Sequence, residues 1–141
     1  MVLDSESINK HLDLLRQFVA KLLRERKDLT LRELKINYKR QYLILHLLQM
    51  AIQSCLDIGN HIISESSLHR PEEASEVFLI LGENKIIPLR LTEAMVRLAK
   101  LRNLIVHLYW KIDWGKIYSV LKKELGNFNL FEKYIVKFLQ K

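Results

Sequence analysis

One cysteine in 141 residues excludes an intramolecular disulfide framework and any metal cage built on several thiolates. That residue, Cys55, lies in an apolar helical run, which fits a reducing compartment. With two prolines and four isolated glycines, punctuation is sparse and no Gly-rich phosphate loop can be assembled. No run of alternating apolar and polar residues is long enough for a sheet. The longest strongly apolar stretch, around Leu43 to Leu48, is too short and too interrupted to span a bilayer. The opening Met1-Val2-Leu3-Asp4-Ser5-Glu6 lacks a basic region followed by an apolar core, so a secretory signal is not expected. A cytoplasmic protein without membrane association is the expectation. Acidic residues are the minority, 16 against 23 Lys and Arg, and the formal charge is +7. That balance favours anionic partners. Yet the cations are spread along the chain except at Arg24-Glu25-Arg26-Lys27 and Lys39-Arg40. Such short runs read more readily as solvated helix faces than as binding tracts.

The chain has a 49% hydrophobic fraction and enough length for one domain, taken as residues 1–141, with a real core. Apolar spacing is helical nearly throughout. Asp4 or Ser5 can cap a first helix running to about Lys27, with Ile8, Leu12, Leu15, Val19 and Leu22 on one buried stripe. Thr30-Leu31-Arg32-Glu33 has the form of a capping box and starts a short turn of helix. A long helix follows from about Asn37 to Glu65, and His69-Arg70-Pro71 breaks the chain. A shorter helix ends at Gly82, and Pro88 opens a fourth that continues to about Lys111. Asp113 caps a fifth ending near Leu125, and Leu130 to Leu139 forms a last amphipathic helix. The expectation is an all-α antiparallel four-helix bundle with short additional C-terminal helices.

Two groups of polar residues interrupt this pattern. On the long helix His46, Gln49, Gln53, Asp57, Asn60, His61 and Ser64 recur every three or four residues, within an arc of about 120° that also takes in Tyr42. The arc is either a solvent face or one wall of a groove. Its composition, Gln, His, Asp, Asn and Ser without Lys, suits a groove or polar interface. Asp57 and His61, one turn apart, could pair with each other or with a cation from another helix. They are two potential ligands without a third and fourth at compatible spacing, so no metal site is expected.

The second group is the octet Arg102-Asn103-Leu104-Ile105-Val106-His107-Leu108-Tyr109. Arg102 can grip a phosphate bidentately and His107 can move a proton near neutral pH. In a regular helix the two are about 140° apart, with Asn103 between them and Tyr109 on nearly the azimuth of Arg102. They do not point at one spot. The long Arg side chain could swing across, the helix could distort, or a second copy in a C2 dimer could complete the site. Trp110 and Trp114 could stack on bases or pack the end of the bundle.

The octet, the segment Ala51 to Glu65 with its Asp57-Ile58-x-x-His61-Ile62 core, and the stretch from Pro71 to Pro88 together resemble the HEPN ribonuclease superfamily. Within it the likeness is to HepT toxins paired with a minimal nucleotidyltransferase, and it covers roughly residues 8 to 125. Lys100-Leu101 stand where that family often has Gly or an aromatic residue. The resemblance implies a metal-independent endoribonuclease, the toxin of a type VII-like toxin–antitoxin pair, acting on tRNA or mRNA as a homodimer and needing no cofactor. It implies Arg102 and His107 as catalytic, with Asn103, Gln53, Asp57 and His61 in support. Tyr109 then corresponds to the site that the nucleotidyltransferase AMPylates to silence the toxin. The alternative is a non-catalytic HEPN subunit that binds a nucleotidyltransferase and its substrate, and a third is a purely structural helical dimerisation protein.

Overall fold

Helix α1 (Ser5–Arg26) lies antiparallel along α3 (Tyr38–Glu65), and this pair is the frame of the molecule. The computed structural model describes residues 5–141, so Asp4, one of the two candidate caps for α1, lies outside the described residues. Ile8, Leu12, Leu15, Val19 and Leu22 are all buried, as the stripe requires. They meet Ile44, Leu48, Ile52, Cys55 and Ile62 of α3 in one continuous core. By length and composition α3 could cross a membrane, but most of it is buried inside the protein. Its apolar residues serve the core.

Local signals set the connections. Thr30 accepts a hydrogen bond from the Glu33 amide at 3.1 Å and so starts α2 (Leu31–Ile36). The reciprocal half of the capping box is replaced, because the Glu33 carboxylate pairs with Arg40 at 2.8 Å. Asn37 caps α3 by accepting from the Arg40 amide. After the break at 66–73, α4 (Ala74–Glu83) crosses α3 closely. A Cβ on Gly59 would sit 2.4 Å from the Val77 side chain, so glycine is needed there for the approach of the two helices.

Helix α5 (Leu89–His107) then returns alongside α3, and α6 (Trp114–Lys123) and α7 (Leu125–Leu139) follow. The all-α class is as expected, but two boundaries differ. Helix α7 begins at Leu125, not Leu130, and runs straight through Gly126. Burial of Leu125, Phe128, Phe131 and Ile135 outweighs the helix penalty of about 1 kcal/mol for one glycine. Phe131 meets Phe78 of α4 edge to face at 5.7 Å, which makes α7 a full member of the bundle. The second difference is at the end of α5.

Candidate active site at the end of α5

Helix α5 stops at His107, four residues before the expected Lys111. Leu108 leaves the helical region (φ −136°, ψ 43°), and Tyr109–Lys111 form a single 3-10 turn. The cause lies in the burial pattern. Leu91, Ala94, Met95, Leu98 and Ala99 are buried, Leu101 is half-buried, and Leu108 is 37% exposed. Beyond Ile105 the apolar stripe has no core left to hold it. Asp113 offers a competing start, accepting from the amides of Gly115 at 2.9 Å and Lys116 at 3.3 Å to cap α6.

Tyr109 is therefore off the α5 azimuth that helical continuity would give it. It stands 63% exposed in the turn, edge to face with Trp110 at 5.4 Å. Trp110 is equally open, whereas Trp114 packs against the core. His107 is exposed at the last helical position, and its side chain makes no hydrogen bond or ion pair among the described residues.

Arg102 is half-buried and faces α3. Its Nε and one terminal nitrogen both donate to Oε1 of Gln53, at 3.1 and 2.8 Å. The other terminal nitrogen donates to Oδ1 of Asn103 at 3.0 Å. Gln53 in turn donates through Nε2 to Oδ1 of Asp57 at 2.9 Å. The second carboxylate oxygen of Asp57 faces Nδ1 of His11 on α1 at 3.9 Å. Three helices thus contribute to one chain of polar groups, His11–Asp57–Gln53–Arg102–Asn103.

The neutral amide in the middle has an electrostatic consequence. Arg16, Arg40 and Arg97 are all in ion pairs with carboxylates. Arg102 is oriented by an amide oxygen that is itself polarised by Asp57, and it makes no ion pair. Its position is held while its charge remains uncompensated at contact, as an anion site requires.

The polar arc on α3 is accordingly divided. Gln53 and Asp57 are half-buried and join Arg102. His61 does not: Asp57 is engaged elsewhere, and Nε2 of His61 is buried without a hydrogen-bond partner, 4.0 Å from Glu65. His46, Asn60 and Ser64 are exposed. His11 was not singled out from the sequence. Its one signal was a place beside Leu12 at the edge of the buried stripe, and nothing local links it to Asp57. Cys55 is fully buried; burial pushes its thiol well above the ordinary range and the nearby Asp57 charge adds to this, so it is no nucleophile.

Residues 8–135 match the ribonuclease HepT-like family. The chain belongs to that family. It is 26% identical over 134 residues to the tRNA nuclease HepT of Aphanizomenon flos-aquae, covering 95% of this chain and 86% of that protein. To the mRNA nuclease HepT of Shewanella oneidensis it is 30% identical over 84 residues, 60% of this chain, and spans 63% of that relative's length. Among solved structures, the tri-AMPylated Shewanella oneidensis HEPN toxin in complex with MNT antitoxin superposes with a TM-score of 0.85. That likeness covers 92% of this chain and 96% of that one at 23% identity. A toxin–antitoxin complex with AMP-PNP gives 0.86 at 22% identity, covering 92% and 97%. A cytosolic Bacillus subtilis protein, YutE, gives 0.84 at 20%, covering 98% and 92%. At these identities the structural likeness shows the HEPN fold. The HepT-like octet thus stands at the exposed end of α5, with Arg102 anchored and His107 free.

Proposed function

We propose that this HepT-like chain is a cytoplasmic, metal-independent endoribonuclease, the toxin of a toxin–antitoxin pair, folded as one domain and working as a homodimer. The observation that carries the reading is the guanidinium of Arg102, held by Gln53 without an ion pair five residues before an unencumbered His107. Arg102 binds the scissile phosphate and stabilises the charge that grows on its oxygens. His107 accepts the 2′-hydroxyl proton as the 2′-oxygen attacks phosphorus, or delivers a proton to the departing 5′-oxygen. One imidazole cannot stand on both sides of the phosphorus at once. A second copy of the chain supplies the other, in keeping with the exposed position of His107. Asn103 and Gln53 keep the guanidinium plane in place, and Asp57 fixes which way the Gln53 amide points. His61, half-buried and off this chain of contacts, takes no part in holding Arg102.

Tyr109 is the proposed site of AMPylation by a partner nucleotidyltransferase. Its exposure leaves the hydroxyl open to a modifying enzyme. Added phosphates in this turn, directly after the end of α5, would reverse the local charge and compete with the RNA backbone. The test is incubation of purified protein with total RNA in the presence of a chelator, beside His107→Ala and Arg102→Ala. Cleavage is expected for the wild type, with a loss of about 10²-fold or more in each variant. Equal RNA integrity in all three would remove the catalytic reading. Co-expression with the nucleotidyltransferase should add mass in AMP units to the wild type and not to Tyr109→Phe. An unmodified wild type, or an adduct that persists in Tyr109→Phe, would remove the regulatory part.

A further inference from the structure

The bundle is electrically polarised, more than the two short basic runs at 24–27 and 39–40 suggest by themselves. Residues 24–40 and 111–123 hold eleven of the 23 basic residues and only four of the 16 acidic ones. The entire formal charge of +7 therefore resides in these two segments, and the remainder of the chain is balanced. Far apart in sequence, they are joined in the fold. Arg26 donates to the carbonyl of Leu121 at 3.0 Å, Tyr118 donates to the carbonyl of Leu29 at 3.2 Å, and α2 packs on both α3 and α6. Few acids oppose the cations. Glu25 and Glu33 are both taken up by Arg40, Asp113 caps α6, and of the four acids Asp28 alone is exposed without an ion pair or a capping role. Arg24, Lys27, Arg32, Lys35, Lys39 and Lys116 are exposed and without an acidic partner.

Two further observations give the patch a direction and a chemistry. The turn Tyr109–Lys111 leads from His107 straight into α6, so the chain itself joins the end of α5 to one of the two basic segments. Tyr38 and Tyr42, 60% and 67% exposed, stand edge to face at 6.0 Å with Lys39 between them in sequence. Open aromatic rings interleaved with cations match the bases and phosphates of a single strand better than an acidic protein, which offers no bases to stack.

We propose that the joined ends of α1, α2, α3 and α6 form a track for the RNA backbone flanking the scissile phosphate. This rests on the reading that the substrate is RNA. The cations meet successive phosphates and Tyr38 and Tyr42 receive unstacked bases, so the track sets how much RNA is gripped beyond the site of cleavage.

The test measures fluorescence anisotropy of labelled single-stranded RNA on the full chain carrying His107→Ala, so that binding is read without cutting. Arg24→Gln, Lys35→Gln, Lys39→Gln and Lys116→Gln are combined. The matched control removes four charges at the other end, as Lys85→Gln, Lys133→Gln, Lys137→Gln and Lys141→Gln. For RNA of about 30 nucleotides the track variant should bind tenfold or more weakly, with a log–log salt slope shallower by about 2 to 3. A tetranucleotide should lose far less, and the control should stay within about twofold on the long RNA. Equal weakening by the two variants, or equal loss on short and long RNA, would overturn the track. So would unchanged RNA affinity together with lost binding of the nucleotidyltransferase, which would give the patch to a protein partner. If the wild type cuts no RNA while the anisotropy behaves as expected, the catalytic reading falls and the track stands. The opposite pattern removes the track alone.

Discussion

The two halves of α5 do different work. From Leu91 to Ala99 the helix is packed: Leu91, Ala94, Met95, Leu98 and Ala99 are at most 4% exposed. From Leu101 onward burial thins, polar contacts to α3 replace apolar ones, and the helix ends within two turns. The first half fixes where α5 lies, and the second uses that position to present Arg102 and His107. A site at a helix end, supported by a packed stem, keeps its geometry without needing much burial of its own. Substitutions in the stem should therefore cost stability and little chemistry, whereas those in the tip should do the reverse.

The largest stability effect is expected at Met95, which is fully buried in the stem. Met95→Ala should cost about 2–5 kcal/mol and lower Tm by roughly 10 °C, measured by thermal or urea denaturation. Cleavage per folded molecule, assayed well below that Tm, should hold. A large loss of cleavage at full folding would show that stem and tip are not separable. Next comes Gly59→Ala, aimed at the α3–α4 contact that braces the stem from outside. The added methyl would sit 2.4 Å from Val77, so overpacking should cost about 1–3 kcal/mol despite the better helix propensity of Ala. A neutral or stabilised variant would mean that Val77 turns aside freely and that the close approach is not required.

Such contrasts were only partly legible in the sequence. The stem was, because Leu91, Ala94 and Leu98 repeat at helical spacing and the caps Thr30, Asn37 and Asp113 use local chemistry. The end of α5 was not. Val106, Leu108 and Trp110 continue an apolar composition, and only the absence of a packing neighbour beyond Ile105 ends the helix. Likewise Leu130 looked like a fresh start after Gly126, yet tertiary burial carries α7 across the glycine. Arg102 and His107 were legible as a motif and Gln53 as part of a polar arc. That Gln53 meets Arg102, and that His11 closes the chain of contacts behind Asp57, depends on how three helices align in space. The charged end was hidden for the same reason: each basic run is ordinary by itself, and only the packing of α6 on α2 and α1 adds them together.

The smallest stability effect, and the sharpest test of the tip, concerns Gln53. Gln53→Leu keeps the volume but removes the acceptor for Arg102 and the donor to Asp57. Exposed and half-buried hydrogen bonds of this kind contribute about 0.5–1.5 kcal/mol net, so Tm should barely move. The guanidinium, however, loses its fixed plane. If its role is to meet a phosphate bidentately, cleavage should fall about tenfold through misplacement alone. Gln53→Glu separates orientation from charge. The carboxylate could still accept from Arg102, but it would stand against Asp57 and form the ion pair that the native amide avoids. A guanidinium paired in this way should bind RNA more weakly than in Gln53→Leu, with the gap between the two variants closing as salt is raised. Should Gln53→Glu cleave and bind like the wild type, the neutrality of the amide is incidental, and the contrast between Arg102 and the ion-paired Arg16, Arg40 and Arg97 has no functional meaning.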